Sequence, residues 1–338
     1  MHLLRGTLAG LVLCALCFDA AADDQAVAAF YAKRTLTIAV GFSPGGNYDV
    51  YARLVARHIG KHIPGNPNIV VQNMPGAGSR RLTNTLVNVG PHDGTMVGLP
   101  NQGIAMDQAL GTAGVKFDAR KFNWIGSPTE DNNVFWAWHT YPVKTIEEAQ
   151  RTEFVVGATG PGSPTTFYPR IMNTLIGTKF KVVSGYPGSS QLDLAIEKGE
   201  VGGRVVSWTS LRITNDWVAT GKANVMLQFG LRKSAELPKV RMLQDLAKTP
   251  KHREIFEFLC LVPAMGRPFF LPPGVPAERV AAIRRAFAAT MKDTAFRDEA
   301  RRAKLGVEPI TGEEIAQIVA RMFAAPDDVR AVGKAAMQ

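Results

Sequence analysis

Residues 38–49 read Ile-Ala-Val-Gly-Phe-Ser-Pro-Gly-Gly-Asn-Tyr-Asp, an apolar strand that runs through a glycine turn into the start of an amphipathic helix. Paired glycines let the backbone approach a ligand closely, and the first N–H groups of the following helix lack partners within it, so they face outward beside the positive end of its dipole. Negative charge is expected at this junction. No lysine follows the glycines as in a Walker A loop, and Gly41, Gly45 and Gly46 do not have the spacing of a dinucleotide fingerprint. A carboxylate fits this turn better than a nucleotide.

The same grammar continues along the chain. Val50, Leu54, Val55 and Ile59 recur at helical spacing up to Gly60; residues 68–72 read as a strand; Leu82, Leu86 and Val89 mark a second helix; and 95–99 read as a third strand. Short apolar strands alternating with helices imply a parallel sheet whose ligands bind outside the carboxyl ends of the strands, where the glycine-rich loops 43–49 and 73–79 both fall. From about Phe122 the chain turns aromatic, with Trp124, Phe135, Trp136, Trp138 and Tyr141, before a second alternation starts with a strand at 154–158. Its loop, 159–166, leads into a helix carrying Tyr168, Ile171 and Leu175 and then a strand at 180–183. A second cradle therefore stands in a second unit. Residues 223–229 read as a further strand, and 254–263 are apolar enough to be a strand returning the chain to the first unit, so that two crossings form a hinge. Pro276 opens a helix with Val280, Ile283, Phe287 and Met291 on one face, and Thr311-Gly312-Glu313-Glu314 is a capping box for another.

Bulk properties narrow the setting. Arg5, the apolar run 8–18 and Asp19-Ala20-Ala21-Ala22-Asp23 read as a secretory signal cut near Ala22, which predicts an exported, soluble mature protein. The run is too short for a permanent anchor, which needs about 20 residues. Cys14 and Cys17 are each preceded by leucine, where a lipid-attachment box wants a small residue. Without residues 1–22 only Cys260 remains, so an internal disulfide is ruled out and the core must hold the fold; its apolar neighbours predict a buried structural thiol. About 316 mature residues suggest two domains. The net charge of +10 suits an anionic ligand, as it suits plain solubility. Lysines and arginines are scattered and aromatics do not interleave with them, which argues against nucleic acid as a partner.

These residues resemble a known family, the extracytoplasmic receptors of tripartite tricarboxylate transporters, or Bug-type solute-binding proteins. The resemblance covers nearly the whole mature chain. It rests on Val40-Gly41-Phe42-Ser43-Pro44-Gly45-Gly46 with Asp49, on Asn73-Met74-Pro75-Gly76-Ala77-Gly78, and on Asp93-Gly94; it continues with the 160–166 loop, Tyr186-Pro187-Gly188 and the turn at Gly199. It implies an α/β, two-lobed periplasmic-binding-protein-like (type II) fold, each lobe a mixed β-sheet flanked by helices and joined by a two-crossing hinge. The division expected is 1–22 signal peptide, 23–124 plus 248–338 lobe one, and 125–247 lobe two. Such a protein closes on a small organic carboxylate and hands it to a membrane permease. Carried over residue by residue, the resemblance puts Phe42, Ser43, Gly45, Gly46 and Asp49 on one wall of the cleft and Gly160, Ser163, Pro164, Thr165 and Tyr186 on the other. One departure stands out: the usual Gly-x-Val-Asp is Gly199-Glu200-Val201-Gly202 here, with Arg204 following as a substitute cation.

Several of these residues admit a plainer reading. Gly45 and Gly46 are read as an anion site in preference to a bare turn, whereas loop 73–79 is read as a structural turn. Asp49 is open between capping the helix and bonding a ligand hydroxyl or amino group. Ser163, Thr165 and Thr166 are open between capping and carboxylate contact, Tyr186 between packing and pocket wall, and Arg204 between a two-pronged grip on a carboxylate and a solvated surface group. Trp136, Trp138 and Trp208 are read as packing. His58 and His62 have zinc-like spacing without the intervening glutamate of a metalloprotease and are read as solvated, and no Gly-x-Ser-x-Gly elbow occurs. The chain is therefore expected to be no enzyme, to need no cofactor or metal, and to act as a monomer. The rival readings are a ligand sensor docking on a membrane signalling partner's ectodomain and an anion-using enzyme on the same fold.

Overall fold

The structure, a computed structural model, describes residues 24–160, 163–214 and 216–335. The expected signal segment and its cleavage site lie outside the described residues, as do Pro161 and Gly162 of the second glycine loop. Among the described residues no helix is long and apolar enough to cross a membrane.

In chain order the strands are β1 (Thr35–Val40), β2 (Asn68–Asn73), β3 (Met96–Leu99), β4 (Asn123–Ser127), β5 (Asn133–Trp138), β6 (Phe154–Ala158), β7 (Phe180–Ser184), β8 (Gly203–Ser207), β9 (Ala223–Phe229), β10 (Phe269–Leu271) and β11 (Ile310–Thr311). They form two mixed sheets flanked by helices. Sheet one runs β11-β4-β10-β3-β1-β2 and sheet two runs β7-β6-β8-β5-β9. Each has a parallel part, β2-β1-β3 and β7-β6-β8, extended by antiparallel strands. Val40 sits level with Asn73 on one side and Leu99 on the other, so the loops leaving β1, β2 and β3 emerge together at one edge.

The helix Asn47–Ile59 follows the first glycine turn and buries Tyr51, Leu54, Val55 and Ile59 at helical spacing against sheet one. The helix Ala277–Lys292 packs Val280, Ile283, Phe287 and Met291 into the same core, and the capping box at Thr311 and Glu314 forms as read. Trp136 is buried and packs with Trp138 and Trp217 in a cluster beside sheet two, which also takes Trp208. Cys260 is buried and free, and burial pushes its thiol up to about 12.

Two expectations fail here. Residues 254–263 are not a strand: Thr249 caps a helix, Pro250–Leu259, and a short helix, Leu261–Ala264, follows. The apolar residues Ile255, Phe256, Phe258 and Leu259 fall on one helical face, and Thr249-Pro250 is a helix start in its own right. The returning strand is β10, further on. His58 and His62 are not solvated either, since their Nε2 atoms lie 2.6 Å from Glu299 and 2.9 Å from Asp293. These carboxylates come from the far C-terminal part of the chain, at a separation that no local pattern encodes.

Candidate functional site

At the first turn Gly45 has φ +81°, which favours glycine, and its N–H donates to Asp49 Oδ2 at 2.9 Å. Asp49 Oδ2 also accepts from Arg53 Nε at 2.8 Å, and Oδ1 from Asn73 Nδ2 at 2.9 Å. Burial pushes this carboxyl up, but the bonds from Arg53, Gly45 and Asn73 outweigh it and hold it below the ordinary range. Asp49 thus ties the loop after β1 to the end of β2. Gly46 is the N-cap of the Asn47–Ile59 helix and offers no side-chain cap, so the first-turn N–H groups remain available beside the helix dipole.

The second turn repeats the design with hydroxyls. Ser163 is the N-cap of the helix Pro164–Ile176, yet its Oγ donates to Gly160 O at 2.9 Å and lies 2.6 Å from Thr165 Oγ1, and so caps no helix N–H. Thr165 Oγ1 accepts from Thr159 N at 3.0 Å, and Thr166 donates to Gly160 O at 2.6 Å. The positive ends of two helices, one from each sheet, therefore face one space.

That space is a cavity of about 70 Å³ at the carboxyl ends of β1, β3, β6 and β8. From the sheet-one side come Phe42, Gly46, Asn47, Tyr48, Asn101 and Gln102; from sheet two come Asn133, Ser163, Pro164, Thr165, Ser189 and Arg204, together with Ser207 and Ser210. Arg267, from the segment just before β10, completes the wall. Arg204 is buried, with Nε 2.9 Å and Nη2 2.8 Å from Asp193 Oδ1, and its Nη1 reaches Ser189 Oγ at 3.4 Å. It is not a solvated surface group. Burial of Asp193 pushes its carboxyl up even beside that guanidinium. Gln102 Nε2 donates to Asn133 Oδ1 at 2.9 Å across the two sheets, while Asn133 Nδ2 is buried with no hydrogen-bond partner. Tyr48, tilted against Phe42 with ring centroids 4.7 Å apart, accepts from Gln102 N, and burial raises its phenol further from ionisation.

Of the residues singled out from the sequence, Phe42, Gly46, Ser163, Pro164, Thr165 and Arg204 line this cavity. Gly160 and Tyr186 do not; they border a more open crevice with Pro75 and Gly78. Ser43 instead crosses the cleft, its N–H reaching Pro187 O at 3.3 Å and its Oγ donating to Gln191 Oε1 at 3.0 Å. Gly202, at the departure from the family pattern, lies under Tyr141: a Cβ there would stand 2.5 Å from the ring, so an aspartate has no room. Sequence reasoning missed Asn101, Gln102, Asn133 and Arg267, which lie outside the glycine loops and meet only when the two sheets do.

No family model matches the chain. A UPF0065 protein from the gbd 5′ region of Cupriavidus necator is 26% identical over 247 residues, covering 67% of this chain and 68% of that protein. Among solved structures, the periplasmic binding protein BugD is similar with a TM-score of 0.71 at 17% identity, over 90% of this chain and 98% of that one. MatC from Rhodopseudomonas palustris with bound malate gives 0.70 at 19% identity, over 88% and 99%. An R. palustris protein with adipate gives 0.68 at 18% identity, over 89% and 97%. The fold is that of type II periplasmic binding proteins, and the resemblance read from the motifs holds in the fold.

Proposed function

We propose that this chain is a Bug-type extracytoplasmic receptor that captures a small organic carboxylate between its two sheets and delivers it to a membrane permease. The carrying observation is the cavity at four strand ends, onto which two helix N-termini and two buried guanidiniums converge. Malate in MatC and adipate in the second R. palustris protein favour a ligand of that class. The lobes would be 23–124 with 248–338, and 125–247; the placement of β1–β4 in one sheet and β5–β9 in the other supports that division. In this reading the chain is exported to the periplasm, performs no chemistry, and works by hinge closure: an acid that touches both lobes binds the closed form better and shifts the population toward it.

The test is a thermal-shift screen of small organic acids on the mature chain, because a ligand that binds only the folded form raises Tm by mass action. At least one acid is expected to raise Tm and to be recovered unchanged. A flat response to all of them overturns the reading, and turnover of a bound acid would favour the enzyme. Capture of a permease subunit from membranes by the acid-loaded protein tests the delivery step, and capture of a sensor ectodomain would redirect it.

A further inference from the structure

The two guanidiniums in the cavity are in different electrostatic states. Arg204 is neutralised where it stands by Asp193. Arg267 is equally buried, at 3% exposure, and has no carboxylate at ion-pair distance among the described residues. Its Nη2 donates to two neutral hydroxyls, Ser207 at 2.7 Å and Ser210 at 2.9 Å, and its guanidinium lies 4.5 Å over the Tyr51 ring. Its Nε has no hydrogen-bond partner. A buried acid, Asp131, feels the Arg267 charge without touching it: it accepts from Thr209 N at 2.9 Å and bonds the Ser207 side chain that Arg267 also bonds. A guanidinium taken out of water without a touching anion is costly, and hydroxyl dipoles with an aromatic face offset only part of that cost.

A second buried donor stands beside it. Asn133 pairs with Ser207 across β5 and β8; the bond from Gln102 to its Oδ1 fixes the amide's orientation, and its Nδ2 has no partner. Arg267 also spans the cleft: its backbone N–H donates to Ser127 Oγ at the end of β4 in sheet one, while its side chain holds hydroxyls at the end of β8 in sheet two.

Resting on the receptor reading, we infer that Arg267, with Asn133 Nδ2 beside it, anchors the ligand's carboxylate, and that the glycine turn shapes the wall without supplying the main charge recognition. Arg267 sets the preference for an acid over its uncharged analogue. An anion on Arg267 completes a bridge between the two sheets, which links ligand charge to closure.

The experiment screens acetate, succinate, malate, adipate and benzoate by thermal shift, then measures by calorimetry the affinity of the best acid and of its primary amide for wild type, R267Q and R267K. In R267Q the acid is expected to lose about 30-fold or more in affinity while the amide is unchanged, so the preference for acid collapses. Should R267Q fail to fold, R267K carries the test: the charge stays but the fork is lost, and the acid is expected to weaken about tenfold with the amide unaffected. A purely structural role would weaken acid and amide alike, and that outcome, or an unchanged preference in the folded variant, overturns the inference while leaving the receptor reading standing. If none of the acids raises the wild-type Tm, both fall together.

Discussion

Ser43 and Gly188 meet across the cleft so closely that a Cβ on Gly188 would lie 2.4 Å from the Ser43 hydroxyl. Gly188 has an extended backbone that any residue adopts, so a side chain there meets no local strain but must displace the Ser43 hydroxyl of the opposite sheet's loop. Gly188→Val is therefore expected to block this seam while leaving each sheet folded. Ligand affinity should fall about tenfold or more, with the ligand-free Tm nearly unchanged. Calorimetry and a melting curve on the same sample check it.

Gly46 is a different kind of glycine. Its φ is −83°, and a Cβ there would meet nothing closer than Ser189 N at 3.7 Å. Gly46→Ala should change ligand-free stability by less than about 1 kcal/mol and keep the response to acids. Gly46→Val should abolish that response, because the branched side chain occupies the cavity wall. Undiminished ligand-induced stabilisation in the valine variant would remove the turn from the site.

Asp193→Asn leaves the Arg204 guanidinium buried without its counter-charge. Breaking a buried pair from one side costs about 3 kcal/mol or more, and urea denaturation should show a loss of that size. The double variant Asp193→Asn with Arg204→Met should recover much of it, since neither charge then remains.

Acid should loosen the contact between the Asn47–Ile59 helix region and the C-terminal helices. Lys61 and His62 hold Asp293 well below the usual carboxylate range; burial pushes Glu299 up, but His58 and Arg57 together bring it below its ordinary value. Carboxylates depressed on folding contribute stability that is fully present above their unfolded values, about pH 4, and is lost as pH falls through the folded ones. The denaturation midpoint should therefore begin to drop below about pH 5 and keep falling past pH 3, and Asp293→Asn should flatten that drop. An unchanged slope in the variant would deny Asp293 a share in the acid response.

Both glycine turns, the strands that feed them and the capping box at Thr311 were legible because each is a local pattern whose physics acts within a few residues. Arg204 was legible as a cation near the cleft, but its partner Asp193 was not, because an ion pair between a helix and a strand leaves no spacing signature. Arg267 was hidden for a further reason. It follows an apolar stretch whose residues satisfy a strand and a buried helix equally well, and the helix won through Thr249 and Pro250. Asn133, Ser207 and Arg267 become neighbours only through sheet pairing and a cross-cleft hydrogen bond.

Sheet two draws all its strands from one unbroken stretch, Asn133 to Phe229, whereas sheet one waits for β10 and β11 near the far end of the chain. A nascent polypeptide can thus complete the later half first. The earlier half stays unfinished, its β3 and β4 lacking the strand that joins them, until Phe269–Leu271 has been synthesised. Truncation before Phe269 should accordingly spare one half of the molecule and leave the other unable to close its sheet, an order of assembly set by topology alone.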